Sequence, residues 1–237
     1  YNTWKKIEKF AVPKFPHGYT VNGIIGDEFK KMYGVEYGVI RSISLLRSFD
    51  VPEKKERFIL YQGAVNEGRS FETLIPAMKD VDAKLIICGN GNFMAEAVRL
   101  VREQALQHKI IFRGQLIPED LIQITRQAYI GLTLFDKKGL SNYYSLANRF
   151  FDYIHALVPQ VCVDYPAYSE INNLHRVAVL IAEPDAVSIA KAINLLLADA
   201  DLYKNLQDGC RLASQVLNWQ NEERKLISFY KIVLESN

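Results

Sequence analysis

The sequence predicts a doubly wound, Rossmann-like α/β fold with a parallel sheet and extra helices at its C-terminal end. Six short apolar runs are continuous rather than alternating, as in strands covered on both faces; they lie at 58–62, 84–88, 109–113, 129–135, 159–163 and 177–181. Segments with helical spacing of apolar residues separate the runs. Regular alternation of strand and helix favours a parallel sheet between two layers of helices.

The helices between these strands begin and end at familiar signals. One begins near Arg69, a second ends near residue 107, a third has Pro118 in its first turn and a fourth starts at Asn148. Beyond the last strand the chain closes with helices alone, over 184–197 and after a capping Asn218. The last helix carries one apolar stripe, made of Trp219, Leu226, Phe229, Tyr230 and Val233.

The first fifty residues are predicted to be a separate region. Residues 1–19 contain two prolines and a glycine and are expected to be irregular, followed by a short helix at 27–33 and a brief strand at 39–43. The charged segment 50–57 is the best candidate for a linker. We therefore expect a boundary that separates residues 1–50 from residues 51–237.

The composition excludes several classes of protein. Of the 237 residues, 49% are hydrophobic and 24% are charged, which is an ordinary globular balance, and the net charge of +2 gives no support for a nucleic-acid partner. Cys88, Cys162 and Cys210 lie far apart and form no CxxC pair, and the apolar runs around Cys88 and Cys162 predict that these two thiols are buried. We therefore expect a reducing, cytoplasmic location. No apolar run approaches the ~20 residues that span a bilayer.

In a doubly wound sheet, ligands bind beyond the carboxyl ends of the strands, where four loops stand out. The first runs from Gly63 through Glu67 and Gly68 to Arg69, where glycines let a ligand approach the backbone and the cation suits an anion. A flexible turn before a solvated arginine explains the pattern equally well.

The next two loops are weaker candidates. Gly89-Asn90-Gly91 is half of a dinucleotide fingerprint, and a tight structural turn is the favoured interpretation. The segment from Gly114 to Leu116 offers backbone groups to a planar base, although a simple connector is the default.

The fourth loop leads into the helix that starts at Asn148. Asn148, Arg149 and Asp152 are spaced to share one exposed face, while Phe150 and Ile154 point into a core. A cation at a helix N-terminus with a carboxylate one turn later suits phosphate and sugar hydroxyls. By residue type alone, a solvated ion pair is the commoner arrangement.

Metal and covalent catalysis find no support in the residues of this chain. The four histidines have no partners at metal-ligand spacing, and neither a G-x-S-x-G elbow nor a Cys–His pairing is present. We therefore expect no metal and no other cofactor.

Five segments in a fixed order resemble a known family: ILYQG with EGR (59–69), LIICGNG (85–91), IIFRG (110–114), NRFFDYIHALVPQVCV (148–163) and YSEI (168–171). From about Tyr19 onward the chain resembles the C-terminal, donor-binding half of retaining nucleotide-sugar glycosyltransferases of the GT-B fold, family four or group 1. By this resemblance Arg69 and Arg149 would face the donor diphosphate and serve catalysis. Asp152 would hold the ribose hydroxyls, as a glutamate typically does in the family.

The remaining donor-binding residues implied by the resemblance are Gly63, Glu67, Gly68, Gly89, Asn90, Gly91, Gly114, Leu116 and Asn148. The chain also departs from the family pattern at several positions. Tyr144 stands where many members have the first of two glutamates, and Ala64 where a second basic residue is common. Ala147 and Val158 replace a usual proline and glycine.

The resemblance implies a hexosyltransferase that moves a sugar from a nucleotide-diphosphate donor to an acceptor with retention, in bacterial polysaccharide or glycoconjugate synthesis. The sugar or lipid-linked acceptor would bind an N-terminal domain of which residues 1–50 are a remnant, so this chain alone would bind donor weakly and transfer nothing. Peripheral association of the full-length protein with the inner membrane face and a homodimer through the C-terminal stripe are further expectations.

Two alternatives remain open from the sequence. A sugar-nucleotide epimerase shares the two-domain fold but needs acid–base residues that cannot be placed here. A non-catalytic nucleotide-sugar-binding module is favoured by Tyr144 and Ala64. A dinucleotide oxidoreductase is the least favoured, because its glycine fingerprint is incomplete.

Overall fold

The structure is a computed structural model that describes residues 2–47 and 55–235. Most of the predicted linker at 50–57 lies outside the described residues. The chain forms two compact units, a small one from residues 1–45 and 217–237 and a large one from residues 46–216. The functional division into 1–50 and 51–237 stays a prediction; by compactness, residues 217–237 group with the N-terminal segment.

In chain order the helices and strands are α1 (Asn2–Ala11), β1 (Tyr19–Thr20), α2 (Gly23–Tyr33), β2 (Gly38–Val39), β3 (Phe58–Gln62), α3 (Phe71–Ala77), β4 (Lys84–Cys88), α4 (Met94–Glu103), β5 (Ile110–Gly114), α5 (Pro118–Gln127), β6 (Ile130–Thr133), α6 (Leu140–Tyr143), α7 (Asn148–His155), β7 (Gln160–Val163), α8 (Pro166–His175), β8 (Ala178–Ile181), α9 (Ala186–Ala198), α10 (Ala200–Val216) and α11 (Trp219–Glu235). Two short 3₁₀ turns, Val12–Lys14 and Met78–Asp80, follow α1 and α3.

The small unit combines α1, α2, a two-stranded parallel sheet and α11. Asn22 caps α2, because its side chain accepts a hydrogen bond from the Ile25 amide at 2.9 Å. Asn218 caps α11 as predicted, accepting from the amide of Asn221 at 3.0 Å. The buried carboxylate of Glu222 accepts from the amide of Arg41 at 2.8 Å, so the N-terminal segment is fastened to α11.

Two expectations for the N-terminal segment are wrong. Residues 1–19 are not irregular, since α1 occupies Asn2–Ala11; Pro13 lies in the 3₁₀ turn after the helix and does not interrupt it. The strand expected at 39–43 is only Gly38–Val39, which pairs with β1. The helix predicted at 27–33 exists but begins earlier, at Gly23.

The large unit is built on a six-stranded parallel sheet in the order β5-β4-β3-β6-β7-β8. All six predicted strands are present, and β3 and β4 span the predicted residues. Every residue of β3, β6 and β7 is buried, which is why their sequences are continuously apolar apart from Gln62, Thr133 and Gln160. The predicted doubly wound α/β fold is confirmed.

The strand order creates a crevice at one place in the sheet. The chain proceeds from β3 outward through β4 and β5, then returns to the other side of β3 to form β6. The loops that leave the carboxyl ends of β3 and β6 therefore diverge to opposite sides, which opens a binding crevice between them. Arg69 lies in the first of these loops, and Arg149 lies in α7, the second helix after β6.

Candidate functional site

Arg149, in the first turn of α7, is the central residue at the crevice. Only 7% of it is exposed, and its Nη1 donates to the backbone carbonyl of Gln62, at the end of β3, at 2.9 Å. Its Cζ lies 4.6 Å from the ring centroid of Tyr61 and 4.8 Å from that of Phe135. Its Nε is buried without a hydrogen-bond partner among the described residues. Buried donors normally have a partner, and a polar or anionic ligand in the crevice would supply one for this nitrogen.

The prediction of one exposed face on this helix is wrong for Arg149. Asn148 is exposed and Asp152 is half-buried, but the guanidinium of Arg149 turns beneath the loop after β3. The physical reason is that two aromatic rings and a strand carbonyl offer the cation a favourable buried environment. The inward directions predicted for Phe150 and Ile154 are confirmed, since both side chains are fully buried.

Arg69 approaches the same aromatic ring. Its Cζ lies 4.5 Å from the centroid of Phe135, and its Nη1 donates to Oδ1 of Asn142 at 2.9 Å. Burial lowers the pKa of Arg69, and the neighbouring charge of Arg149 lowers it further. The guanidinium still carries its proton at neutral pH, because its ordinary pKa is far above 7.

Neither arginine is neutralised by a carboxylate. Within residues 2–47 and 55–235, no ion pair includes Arg69 or Arg149. A solvated ion pair therefore does not describe Arg149. Two guanidinium groups that share one ring of Phe135 and form no ion pair in the described part of the chain make a cluster that an anion would stabilise.

Asp152 is held one turn further along α7. Its Oδ2 accepts from Nε2 of Gln62 at 3.0 Å, and Oε1 of Gln62 accepts from the hydroxyl of Thr125 at 2.7 Å. The same glutamine thus fixes the carboxylate through its side chain and Arg149 through its backbone carbonyl. Gln62 therefore sets the spacing between the acid and the cation.

The loop glycines serve mainly the packing of neighbouring loops. A Cβ on Gly89 would lie 1.8 Å from the carbonyl oxygen of Gly63, and one on Gly91 would lie 2.4 Å from that of Val65. The amide of Val65 also donates to the carbonyl of Asn90 at 3.0 Å. These contacts support the interpretation of Gly89–Gly91 as a tight structural turn.

The remaining predicted residues surround this core of contacts. Gly63 is exposed, and a Cβ there would lie 2.9 Å from Nη1 of Arg149, so the missing side chain makes room for the cation. Gly68 packs as closely on Asn142. The side chain of Glu67 is exposed. The carbonyl of Gly114 accepts from the amide of Gly89 at 2.7 Å, and Leu116 is partly buried against the core. These contacts fit the interpretation of Gly114–Leu116 as a connector.

Sequence reasoning missed four residues of the cluster: Tyr61, Gln62, Phe135 and Asn142. A signal existed for Gln62, which is a polar residue at the end of an otherwise apolar strand and is only 3% exposed. No signal existed for Phe135, because its contacts with both arginines depend on β3 and β6 being neighbours. Tyr144 is half-buried just after α6, with its ring 5.3 Å from that of Tyr143.

A second cavity, of about 630 Å³, lies between β8 and α9. It is lined largely by aliphatic side chains, and neither arginine of the cluster reaches it. Because Lys191 is the basic residue in its lining, the cavity offers less positive charge for an anion than the crevice does. In the described part of the chain, no group of three His, Cys, Asp or Glu side chains is placed to hold a metal ion, and no helix is long and apolar enough to cross a bilayer.

A model of the family "glycosyl transferases group 1" matches residues 46–211, which is most of the chain. The chain belongs to the group 1 glycosyl transferases. An uncharacterized glycosyltransferase of Methanocaldococcus jannaschii is 23% identical over 202 residues, which cover 81% of this chain and 49% of that protein. This glycosyltransferase chain thus spans about half the length of the curated relative that it matches.

Solved structures of glycosyltransferases share the fold of this chain. A glycosyltransferase from Rickettsia africae superposes with a TM-score of 0.79 at 17% identity, covering 100% of this chain and 68% of the other. Staphylococcus aureus TarM, whose crystal structure contains UDP, superposes with a TM-score of 0.77 at 13% identity, covering 95% and 46%. The expected GT-B glycosyltransferase fold is confirmed.

Proposed function

We propose that this chain binds a nucleoside-diphosphate sugar in the crevice between β3 and β6, as the donor side of a retaining glycosyltransferase. The observation that carries the proposal is the pair of guanidinium groups around Phe135, neither of which has a carboxylate partner among the described residues. A diphosphate supplies the missing negative charge. The crystal structure of TarM, whose fold this chain shares in part, contains UDP, which supports a nucleotide as the ligand.

The proposed mechanism assigns the arginines to the leaving group. As the bond from the sugar to the diphosphate breaks, negative charge grows on the phosphate oxygens. Arg69 and Arg149 lie preorganised on the ring of Phe135 and stabilise that charge without reorganising. Arg149 uses one Nη1 hydrogen for the Gln62 carbonyl and keeps its remaining donors for phosphate. We propose that no metal is needed for this step.

Asp152 is proposed to bind the ribose hydroxyls. Its carboxylate is half-buried and oriented by Gln62, so it can accept hydrogen bonds at a fixed distance from the arginines. Holding both the ribose and the diphosphate fixes where the anomeric carbon lies, which lowers the entropic part of the barrier. An aspartate stands here in place of the family's glutamate and is one methylene shorter. The long side chain of Gln62 reaches its carboxylate and holds it by a hydrogen bond.

The wider role remains part of the proposal. We infer that the acceptor, a sugar or a lipid-linked sugar, binds to a further domain, and that the chain alone binds donor without transferring sugar. Hexosyl transfer with retention in bacterial polysaccharide or glycoconjugate assembly, in the cytoplasm or at the inner membrane face, is the role that we propose for the whole enzyme. Dimerisation through α11 is a separate proposal.

The test is calorimetric titration of the chain with UDP and with GDP. We expect Arg149→Ala to weaken the preferred nucleotide by roughly ten- to a hundredfold, since a charge-assisted hydrogen bond contributes ~1.5–3 kcal/mol. Arg149→Lys should fall in between, because it keeps the charge and loses the fork of donors. The matched control is Arg211→Ala, which removes an arginine that is 59% exposed on α10.

Binding by Arg149→Ala equal to that of the wild type would remove Arg149 from the site. A wild-type chain that binds neither nucleotide would contradict the donor-binding proposal and favour a non-catalytic module.

A further inference from the structure

The loop after β6 returns to the loop after β3 through a small polar cluster. The backbone amide of Asp136 donates to the carbonyl of Gly68 at 3.1 Å. Because Gly68 precedes Arg69 in the chain, this bond fixes Asp136 near the arginine. Oδ1 of Asp136 accepts from the Lys138 amide at 3.1 Å and from Nδ2 of Asn142 at 2.9 Å. The carboxylate is therefore anchored close to the site and turned toward α6.

Asn142, on α6, lies between this carboxylate and the cation. Its Oδ1 accepts from Nη1 of Arg69 at 2.9 Å, while its Nδ2 donates to Asp136. A guanidinium only donates and a carboxylate only accepts, so the orientation of the amide between them is determined. Although the negative charge of Asp136 acts on Arg69, the two residues form no ion pair in the described part of the chain.

The side-chain amide of Asn142 fills the space between Gly68, the guanidinium of Arg69 and the carboxylate of Asp136. A Cβ on Gly68 would lie 2.8 Å from Nδ2 of Asn142 and 3.4 Å from Oδ1 of Asp136. Asn142 is itself anchored, because the hydroxyl of Ser145 donates to its backbone carbonyl at 2.7 Å. Removing the amide would leave a gap that the flexible side chain of Arg69 can cross.

We propose that Asn142 is a positioning residue that separates Arg69 from Asp136 and so keeps the guanidinium available to the donor diphosphate. The role rests on the proposed function of Arg69. Without the amide, Arg69 pairs directly with Asp136, and the site loses one of its two guanidinium groups that form no ion pair among the described residues. The residue sets the affinity for the diphosphate without touching the ligand.

The first experiment is a double-variant cycle with UDP as the titrant. We expect Asn142→Ala to weaken binding by roughly tenfold, the scale of one charge-assisted hydrogen bond. Asp136→Asn in the same chain removes the competing carboxylate, so the double variant should return to within about threefold of the wild type. A double variant as weak as Asn142→Ala would overturn the proposal, because it would show that Asn142 only supports the fold of the loop.

The second experiment needs no nucleotide and therefore separates this inference from the proposed function. Arginine side-chain NMR follows the Nε–Hε signal of Arg69, assigned from its loss in Arg69→Lys. Asn142→Ala should shift this signal, and Asp136→Asn in the same chain should return it toward the wild-type position. If the Arg69 signal does not move in Asn142→Ala, Asn142 does not separate Arg69 from Asp136, even if the chain binds UDP. If the signal shifts as expected but the chain binds no nucleotide, only the proposal that the chain binds a sugar-nucleotide donor is contradicted.

Thermal melting of each variant shows whether it is folded. If Asn142→Ala does not fold, Asn142→Ser replaces it in both experiments, with the same expected pattern.

Discussion

At the scale of single residues, Phe135 explains how two positive charges remain close together and ready for a ligand. The face of an aromatic ring attracts cations, yet the ring carries no net charge that would neutralise them. Arg69 and Arg149 lie 4.5 and 4.8 Å from the same ring centroid. An acidic residue at position 135 would hold the arginines more tightly but would compete with a diphosphate. The ring therefore favours ligand binding over internal pairing.

Gly91 gives a test of the turn after β4. A Cβ added at this position would lie 2.4 Å from the carbonyl oxygen of Val65. That oxygen belongs to the backbone, so it cannot move aside without a shift of the loop. We predict that Gly91→Ala lowers the free energy of unfolding by roughly 1–3 kcal/mol, the usual effect of overpacking. Calorimetric melting measures the change.

The matched control is Gly23→Ala in α2, where a Cβ would meet nothing within 4 Å. An unchanged melting temperature for Gly91→Ala would show that the loop after β3 moves aside freely, and a direct ligand contact would then be the better interpretation of this glycine.

At the scale of elements, Lys55 joins the C-terminal ends of two helices. Its buried ammonium donates to the carbonyl of Arg126 in α5 and to that of Ala156 just after α7, both at 2.9 Å. Cations are favoured at helix C-termini, where carbonyls lack intrahelical partners. Because α7 carries Arg149 in its first turn and Asp152 one turn later, Lys55 helps to fix the helix that presents the site.

Burial lowers the pKa of Lys55 to about 8. An unfolded lysine titrates near its ordinary value of 10.5, so the unfolded chain binds more protons between these two values and stability rises with pH there. From pH 7.5 to 9.5 we expect this lysine to add roughly 1–2 kcal/mol to the free energy of unfolding. Urea unfolding at the two pH values measures the gain.

Lys55→Met should lack that gain, whereas Lys84→Met, which removes an exposed lysine at the start of β4, should retain it. The same pH dependence in the wild type and in Lys55→Met would show that the lysine is charged throughout this range.

The elements also show what the sequence can and cannot predict. The strands are readable because burial on both faces makes them continuously apolar, as in β3 and β4. Helix α1 escaped prediction because Pro13 and Pro16 suggested irregular chain, although both lie beyond its end. Residue type, loop position and the family resemblance predict Arg69 and Arg149 as site residues, and their role stays a prediction. Their common contact with Phe135 was not predicted, because it follows from the strand order, which no local pattern encodes.

At the scale of the whole molecule, the small unit is assembled from two segments that are distant in sequence. Glu222, which is fully buried, accepts from the amide of Arg41 and pairs with Lys225 at 2.7 Å. The amide of Trp219 donates to the carbonyl of Ser44 at 3.1 Å. These contacts connect residues 40–44 to the start of α11 within this unit.

We predict that Glu222→Gln destabilises the small unit by roughly 2–4 kcal/mol, since it leaves buried donors with an uncharged and partly mismatched partner. Both tryptophans of the chain, Trp4 and Trp219, belong to this unit, so tryptophan fluorescence reports its unfolding in urea. Far-UV circular dichroism follows both units together.

Glu223→Gln, at the exposed neighbouring position, is the control. The prediction is that only Glu222→Gln moves the fluorescence midpoint to lower urea. Coincident midpoints for the two variants would show that the buried carboxylate contributes little.

The two-segment construction of the small unit has a consequence for the order of events on the ribosome. Residues 46–216, with the complete six-stranded sheet, emerge before α11 is synthesised. The sheet unit can therefore fold during translation, as domains generally do. The contacts of Arg41 and Ser44 with α11 can form only after that helix is synthesised, so residues 40–44 remain accessible to chaperones during the interval.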